Sequence, residues 1–117
     1  MAKTIEDLQQ KVAKFRDDRS WKQFHGPKEL AVSITIEAAE LLECFQWKSA
    51  DDIQKYITSE KVIEVKEEMA DVLIYLLNLS DVLGINLLDE ANKKLEKNAT
   101  KYPIKKAKGS SKKYTEL

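Results

Sequence analysis

The chain has 117 residues with 20 basic and 20 acidic side chains, a formal net charge of +0; this is one domain's length and speaks against a globally basic nucleic-acid binder. Hydrophobic residues make up 43% and charged residues 34%, enough for a packed core and as much charge as solvated helices carry. One cysteine, Cys44, and one histidine, His25, exclude an internal disulfide framework, a cysteine-based zinc site and the paired Glu-x-x-His signature of di-iron bundles.

Thr4 followed by Asp7 predicts a capped helix start. Ile5, Leu8, Val12 and Phe15 then recur at helical spacing through about Asp18. Residues 19–26 read as a loop, and Pro27 suits the first turn of a second helix running to about Trp47. Ser49 with Asp52 repeats the capping signature and predicts a short helix through about Thr58. A long helix from about Glu60 to Leu83 is stopped by Gly84. The last helix spans about Leu87 to Lys101 and ends before Pro103. Residues 104–117 are rich in Lys, Ser and Gly and read as a basic, mobile tail. Only 3 Gly and 2 Pro are present, too few breakers for a sandwich or barrel. The expected fold is therefore all-α and four-helix-bundle-like, a single domain over residues 1–103 followed by the tail. The first residues form no apolar leader, and Asp71 and Asn78 interrupt the longest apolar stretch. No transmembrane span is expected, and a soluble cytoplasmic protein without a membrane partner is the default reading.

Zero net charge hides a strong polarity. Residues 1–26 carry 6 basic and 4 acidic side chains, residues 27–90 carry 5 and 14, and residues 91–117 carry 9 and 2. The acidic block coincides with the most apolar helices. From Met69 to Leu79 only Asp71 and Asn78 are clearly polar, and Leu30 to Phe45 leave the second helix little polar face. Helices apolar nearly all round demand cover on all sides. That demand predicts a homodimer with the second and long helices central, against the plainer reading of a monomer whose helices cover each other.

Within the acidic block, Glu37-Ala-Ala-Glu40 places two carboxylates on one face of the second helix, and Glu68-Met-Ala-Asp71 does the same on the long helix. Glu64, Glu68, Asp71 and Tyr75 step by 4, 3 and 4 and form one stripe. Side by side, the two helices bring four acids together in an apolar setting, where protons or cations must compensate their repulsion. All-oxygen ligands favour Mg²⁺ or Mn²⁺ over zinc, and Mg²⁺ shares its sphere with substrate phosphates. The chemistry implied is phosphoryl or nucleotidyl transfer to water. The plainer reading is a solvated acidic face, which fits Glu43, Glu60, Glu64 and Glu67 as well.

These residues resemble the MazG-like, all-α nucleoside triphosphate pyrophosphohydrolases, whose signature Glu37-x-x-Glu40 and Glu68-x-x-Asp71 match. Trp21-Lys-Gln-Phe-His25-x-Pro27, Glu40-Leu-Leu-Glu-Cys-Phe-Gln-Trp47, Asp71-Val-Leu-Ile-Tyr75, Asn98-x-x-Lys-Tyr-Pro103 and the tail Gly109 to Leu117 are similar to the dCTP pyrophosphatase branch. The resemblance implies Mg²⁺-dependent hydrolysis of (deoxy)nucleoside triphosphates to the monophosphate and pyrophosphate. It implies Glu37, Glu40, Glu68 and Asp71 as metal ligands and catalytic acids. It also implies a base held by Trp21, Trp47 and Tyr75, with His25 close by. Core packing is the plainer role for the two tryptophans, and a capped loop residue is that for His25. Lys94, Asn98 and Lys101 step by 4 and 3 on the last helix, a basic face that suits a triphosphate with Mg²⁺, with a solvated lysine face as the plainer reading of any single lysine. Cys44 lies on the stripe of Ser33, Glu37 and Glu40, where a small buried hydrophobe is the simpler reading. The alternative function is a non-enzymatic helical interaction module that uses the acids structurally and the basic tail for docking. A nucleic-acid binder led by the tail is opposed by the acidic middle.

Overall fold

Each capping signal acts at its own position. In a computed structural model covering residues 1–117 the Thr4 hydroxyl accepts the Asp7 N–H at 3.1 Å, and helix α1 runs Ile5–Asp18. A 3₁₀ turn at Lys22–Phe24 leads into α2, Pro27–Glu43, which has Pro27 in its first turn. Ser49 and Asp52 bond reciprocally at 3.1 and 3.4 Å and start α3, Ala50–Ile57. Helix α4, Val62–Leu83, ends at Gly84 in the left-handed conformation, φ 66°. A side chain there would be strained, so glycine is the natural stop. Asn86 caps α5, Leu87–Lys101, by accepting the Asp89 N–H at 3.1 Å. A helical turn α6, Ile104–Ala107, and a 3₁₀ turn at Tyr114–Glu116 follow. The fold is all-α, without strands, and no single helix is long and apolar enough to cross a membrane.

The chain divides into two compact units, Met1–Gly84 and Ile85–Leu117. In the first, α4 packs against α2 and against α1. Leu30 and Leu77 are wholly buried there, joined by Val12, Tyr56 and Val65. The Tyr56 ring of α3 meets Phe45 edge-on at 6.2 Å and so fastens α3 to the end of α2. The seam between α1 and α4 is polar. Gln9 donates to the Ser80 hydroxyl at 3.0 Å, and Arg16 donates to Asn78 and Asp81, each at 2.9 Å. In the second unit the Tyr102 and Tyr114 rings meet edge-on at 6.1 Å.

Three boundaries and faces differ from expectation. Helix α2 stops at Glu43 instead of reaching Trp47; Phe45 and Gln46 then donate to the Leu42 carbonyl, and Trp47 itself adopts φ 65°. No glycine or proline marks this stop, and a non-glycine residue in the left-handed region costs about 1–2 kcal/mol. Helix α4 begins at Val62 because the Ser59 hydroxyl and carbonyl accept the Lys61 and Val62 N–H groups in a preceding turn. The apolar faces are also less covered than their composition demands. Val32, Ile36 and Leu42 on α2 and Ile63, Met69 and Ile74 on α4 all remain exposed.

Packing at Leu77 and the cap at Ser49 give a graded stability test. Leu77→Ala is expected to cost about 2–5 kcal/mol through transfer and cavity terms, and Ser49→Ala about 1 kcal/mol through the lost cap. Urea unfolding at one fixed protein concentration measures both.

Candidate active site

Helix α2 carries Ser33, Glu37, Glu40 and Cys44 along one stripe, and α4 carries Glu64, Glu68, Asp71 and Tyr75 along another. Packing of α2 on α4 brings one carboxylate oxygen each from Glu37, Glu40 and Glu68 within 4.8 Å of one another, all three side chains half-buried. Only three buried side-chain polar atoms lack a hydrogen-bond partner: Glu37 Oε2, Glu68 Oε2 and the Tyr56 hydroxyl. Two of the three therefore belong to this cluster. The ion pairs of the chain lie elsewhere, joining Lys14 to Asp18, Arg16 to Asp17 and Asp81, and Lys93 to Glu90. The cluster has no internal counter-ion.

The electrostatics follow. Burial above all, then the adjoining Glu40 carboxylate and the charges of Asp71 and Glu68, push the Glu37 carboxyl up to about 7. Burial, then Glu40 and the charge of Asp71, likewise raise Glu68. Such a site holds either protons or cations. Unpartnered carboxylate oxygens from two helices, with no softer donor among them, fit a hard divalent ion such as Mg²⁺ or Mn²⁺. Asp71 stands beside this cluster and acts on it through its charge. Its side chain lines a cavity of about 240 Å³ together with Trp21, His25, Ile74, Tyr75 and Asn78. A second, acidic cavity of about 530 Å³ is lined by Glu40, Glu64, Glu67, Glu68, Cys44 and Lys48, among others.

The structure thus brings together Glu37, Glu40 and Glu68, and separately gathers Trp21, His25, Asp71 and Tyr75 around one cavity. Trp47 stands apart from both on the turn after α2, 92% exposed. Lys94, Asn98 and Lys101 lie on α5 in the second unit; Lys94 and Lys101 are exposed and Asn98 is half-buried. The Lys101 ammonium sits 4.9 Å over the Tyr114 ring. Cys44 is half-buried, its thiol 3.6 Å from the Glu40 carbonyl oxygen. Sequence reasoning missed Lys48 and the pairing of His25 Nδ1 with Asn78 Nδ2 at 2.8 Å. The one available signal for the latter was Asn78 itself, a polar residue in an apolar run.

The profile of the MazG-like family matches residues 32–117. The chain is 37% identical to dCTP pyrophosphatase 1 of Mus musculus over 116 residues, 97% of this chain and 68% of that protein. It is 38% identical to dCTP pyrophosphatase 1 of Homo sapiens, again over 97% of this chain and 68% of that protein. Among solved structures, a crystal structure of a pyrophosphatase from Archaeoglobus fulgidus DSM 4304 is similar with a TM-score of 0.79 and 50% identity, covering 88% of this chain and 95% of that one.

The raised Glu37 carboxyl fixes the sign of a pH effect. Below its ordinary value of 4.5 both folded and unfolded chains hold the proton. Between that value and about 7 the unfolded chain loses it first, so the metal-free fold weakens as pH rises, and the penalty is complete above about 7. A divalent ion held by these carboxylates would replace the proton and relieve the repulsion. Mg²⁺ is therefore expected to raise the melting temperature more at about pH 8 than at about pH 5, and Glu37→Gln to shrink that difference. Thermal scans at the two pH values check this; an equal Mg²⁺ effect at both contradicts it.

Proposed function

Because the chain belongs to the MazG-like family, we propose that it is a nucleoside triphosphate pyrophosphohydrolase that requires Mg²⁺, with Mn²⁺ as a substitute, and that acts on dCTP or modified dCTP among (deoxy)nucleoside triphosphates. The observation that carries this reading is the group of three half-buried carboxylates from two helices with no basic partner. Glu37, Glu40, Glu68 and Asp71 are the proposed metal ligands. When bound, the ion supplies charge neutralisation and polarisation at the phosphates. The reaction is attack of water on the α-phosphorus and cleavage of the α–β phosphoanhydride. The bond's electron pair leaves with pyrophosphate. The carboxylates hold the triphosphate's counter-charge in place and orient the water, which is a matter of positioning and electrostatics more than of covalent chemistry.

Base binding falls to the cavity beside Asp71. The faces of Trp21 and Tyr75 offer stacking, which tolerates any base, and His25 offers an edge contact that discriminates. Lys94, Asn98 and Lys101 are the proposed phosphate contacts, since they form a basic face on one side of α5. The working form is a homo-oligomer, a dimer or a dimer of dimers. Exposed Val32, Ile36, Ile63 and Met69 support it, because exposed apolar rows on two adjacent helices favour a second copy. Trp47, 92% exposed, is then a stacking residue offered to a neighbouring copy. The partners are the nucleotide and further copies of the chain, with neither nucleic acid nor membrane among them.

Pyrophosphate release from a panel of canonical and modified triphosphates, with and without Mg²⁺, tests the reading. Release is expected only with the metal and fastest from cytidine nucleotides. Glu68→Gln is expected to lower the rate by about 10²–10³-fold while the circular dichroism and the oligomer mass stay unchanged. No release from any triphosphate would overturn the proposal.

A further inference from the structure

We propose that Asn78 and Arg16 are positioning residues that hold His25 as its neutral Nε2–H tautomer, so that the cavity beside Asp71 presents a hydrogen-bond donor to an acceptor atom of the ligand. The chain of contacts runs inward from the ring. His25 Nδ1 lies 2.8 Å from Asn78 Nδ2. Asn78 Oδ1 in turn lies 2.9 Å from Arg16 Nη1. Arg16 is 2% exposed and Asn78 is 4% exposed, so water does not compete for these groups.

The direction of each bond follows from the donor inventory. A guanidinium carries donors only and stays protonated. The asparagine oxygen must therefore face Arg16, and its amide must face His25. An amide NH₂ has nothing to accept with, so Nδ1 must be the acceptor. A proton on Nδ1 would set one N–H against another. The remaining ring proton then sits on Nε2, which has no partner within the chain, while the ring lines the cavity alongside Trp21 and Tyr75.

The anchor itself is over-determined. Arg16 donates to Asp17 through Nε at 2.9 Å and Nη2 at 3.2 Å, and to Asp81 through Nη1 at 2.9 Å. Those contacts fix the guanidinium from α1 and α4 at once. The backbone of His25 is fixed as well, its N–H donating to the Lys22 carbonyl at 3.0 Å. The guanidinium cannot turn, and the imidazole hangs from a held backbone with its Nδ1 on Asn78. The ligand group that meets Nε2–H must accept, as a carbonyl oxygen or an unprotonated ring nitrogen of a base does; a ring N–H or an exocyclic amine presented there would be refused. This ligand half rests on the nucleotide reading above, whereas the tautomer does not.

His25 is the sole histidine, so its two ring nitrogens can be read without assignment by ¹⁵N NMR of the full chain in Mg²⁺. The expected spectrum has Nδ1 pyridine-like and Nε2 pyrrole-like. Asn78→Asp, whose carboxylate accepts from Nδ1–H, should invert that pattern, and Asn78→Leu should leave a mixture of tautomers. In turnover, Asn78→Asp should raise KM for dCTP by about tenfold with kcat within about twofold, because a ground-state contact is lost. A pyrrole-like Nδ1 in the unmodified protein overturns the proposal without any variant having to fold. An unchanged ring in Asn78→Asp also overturns it. A merely structural Asn78 would change the melting temperature and leave the ring nitrogens as they were. If the unmodified protein hydrolyses no triphosphate yet shows the expected tautomer, the nucleotide reading fails and the positioning role stands.

Discussion

Three carboxylates share a half-buried space between α2 and α4 that no basic side chain of the chain neutralises. Each is cheap on a solvated helix, where water screens it, and costly where its neighbours and its desolvation act together. The helix pair tolerates them because Leu30 and Leu77 are wholly buried in the same unit. Apolar packing offsets an electrostatic cost that a cation held between the carboxylates would relieve. Without the packing the acids would splay into water and the site would lose its reason to bind anything.

Helix α4 meets its two neighbours in opposite ways. Against α1 its polar groups are satisfied: Ser80 accepts from Gln9, and Asn78 and Asp81 accept from Arg16. Against α2 its Glu68 oxygen is left without a partner. A satisfied seam is rigid and selects one arrangement, while an unsatisfied one is receptive to a ligand. Asp71, Tyr75 and Asn78 step by 4 and 3 along the same helix and so lead from the receptive side to the rigid one. The cavity that they line together with Trp21 and His25 thus has an acidic border at Asp71 and a fixed polar one at Asn78. That division suits a ligand whose phosphates need charge compensation and whose base needs a fixed edge.

Local signals were legible because their causes are local. Thr4, Pro27, Ser49 with Asp52, and Gly84 each satisfy or terminate a helix end with atoms from the same few residues, and all four act as their positions predict. The end of α2 was not legible, since the apolar spacing continues through Phe45 and the stop lies in a left-handed Trp47 that nothing local demands. The convergence of acids from two helices was legible because each pair's spacing sets one helix face. Glu37, Glu40 and Glu68 converge, while Asp71, on the same face of α4 but with a side chain one methylene shorter, reaches them through its charge. The Arg16–Asn78–His25 chain was hidden for a different reason. Its members are separated by 62 and 53 residues, and no spacing rule links an arginine on α1 to an asparagine in an apolar run. Only the packing of α1, and of the loop before α2, on α4 makes them neighbours.

The exposed apolar side chains and the unneutralised carboxylates belong to one balance. Val32 and Ile36 share α2 with Glu37 and Glu40, and Met69 is next to Glu68 on α4. In the proposed oligomer, a second copy covering those apolar residues would lower the dielectric around the helix pair and strengthen the repulsion between its acids. Association and cation binding would then be linked, since burial raises the demand for counter-charge and a bound cation lowers the cost of burial. The same two helices therefore have cause to be apolar on their outer faces and acidic between them. Each property alone would look like a defect of a small domain; in the proposed oligomer, assembly and charge compensation would support each other.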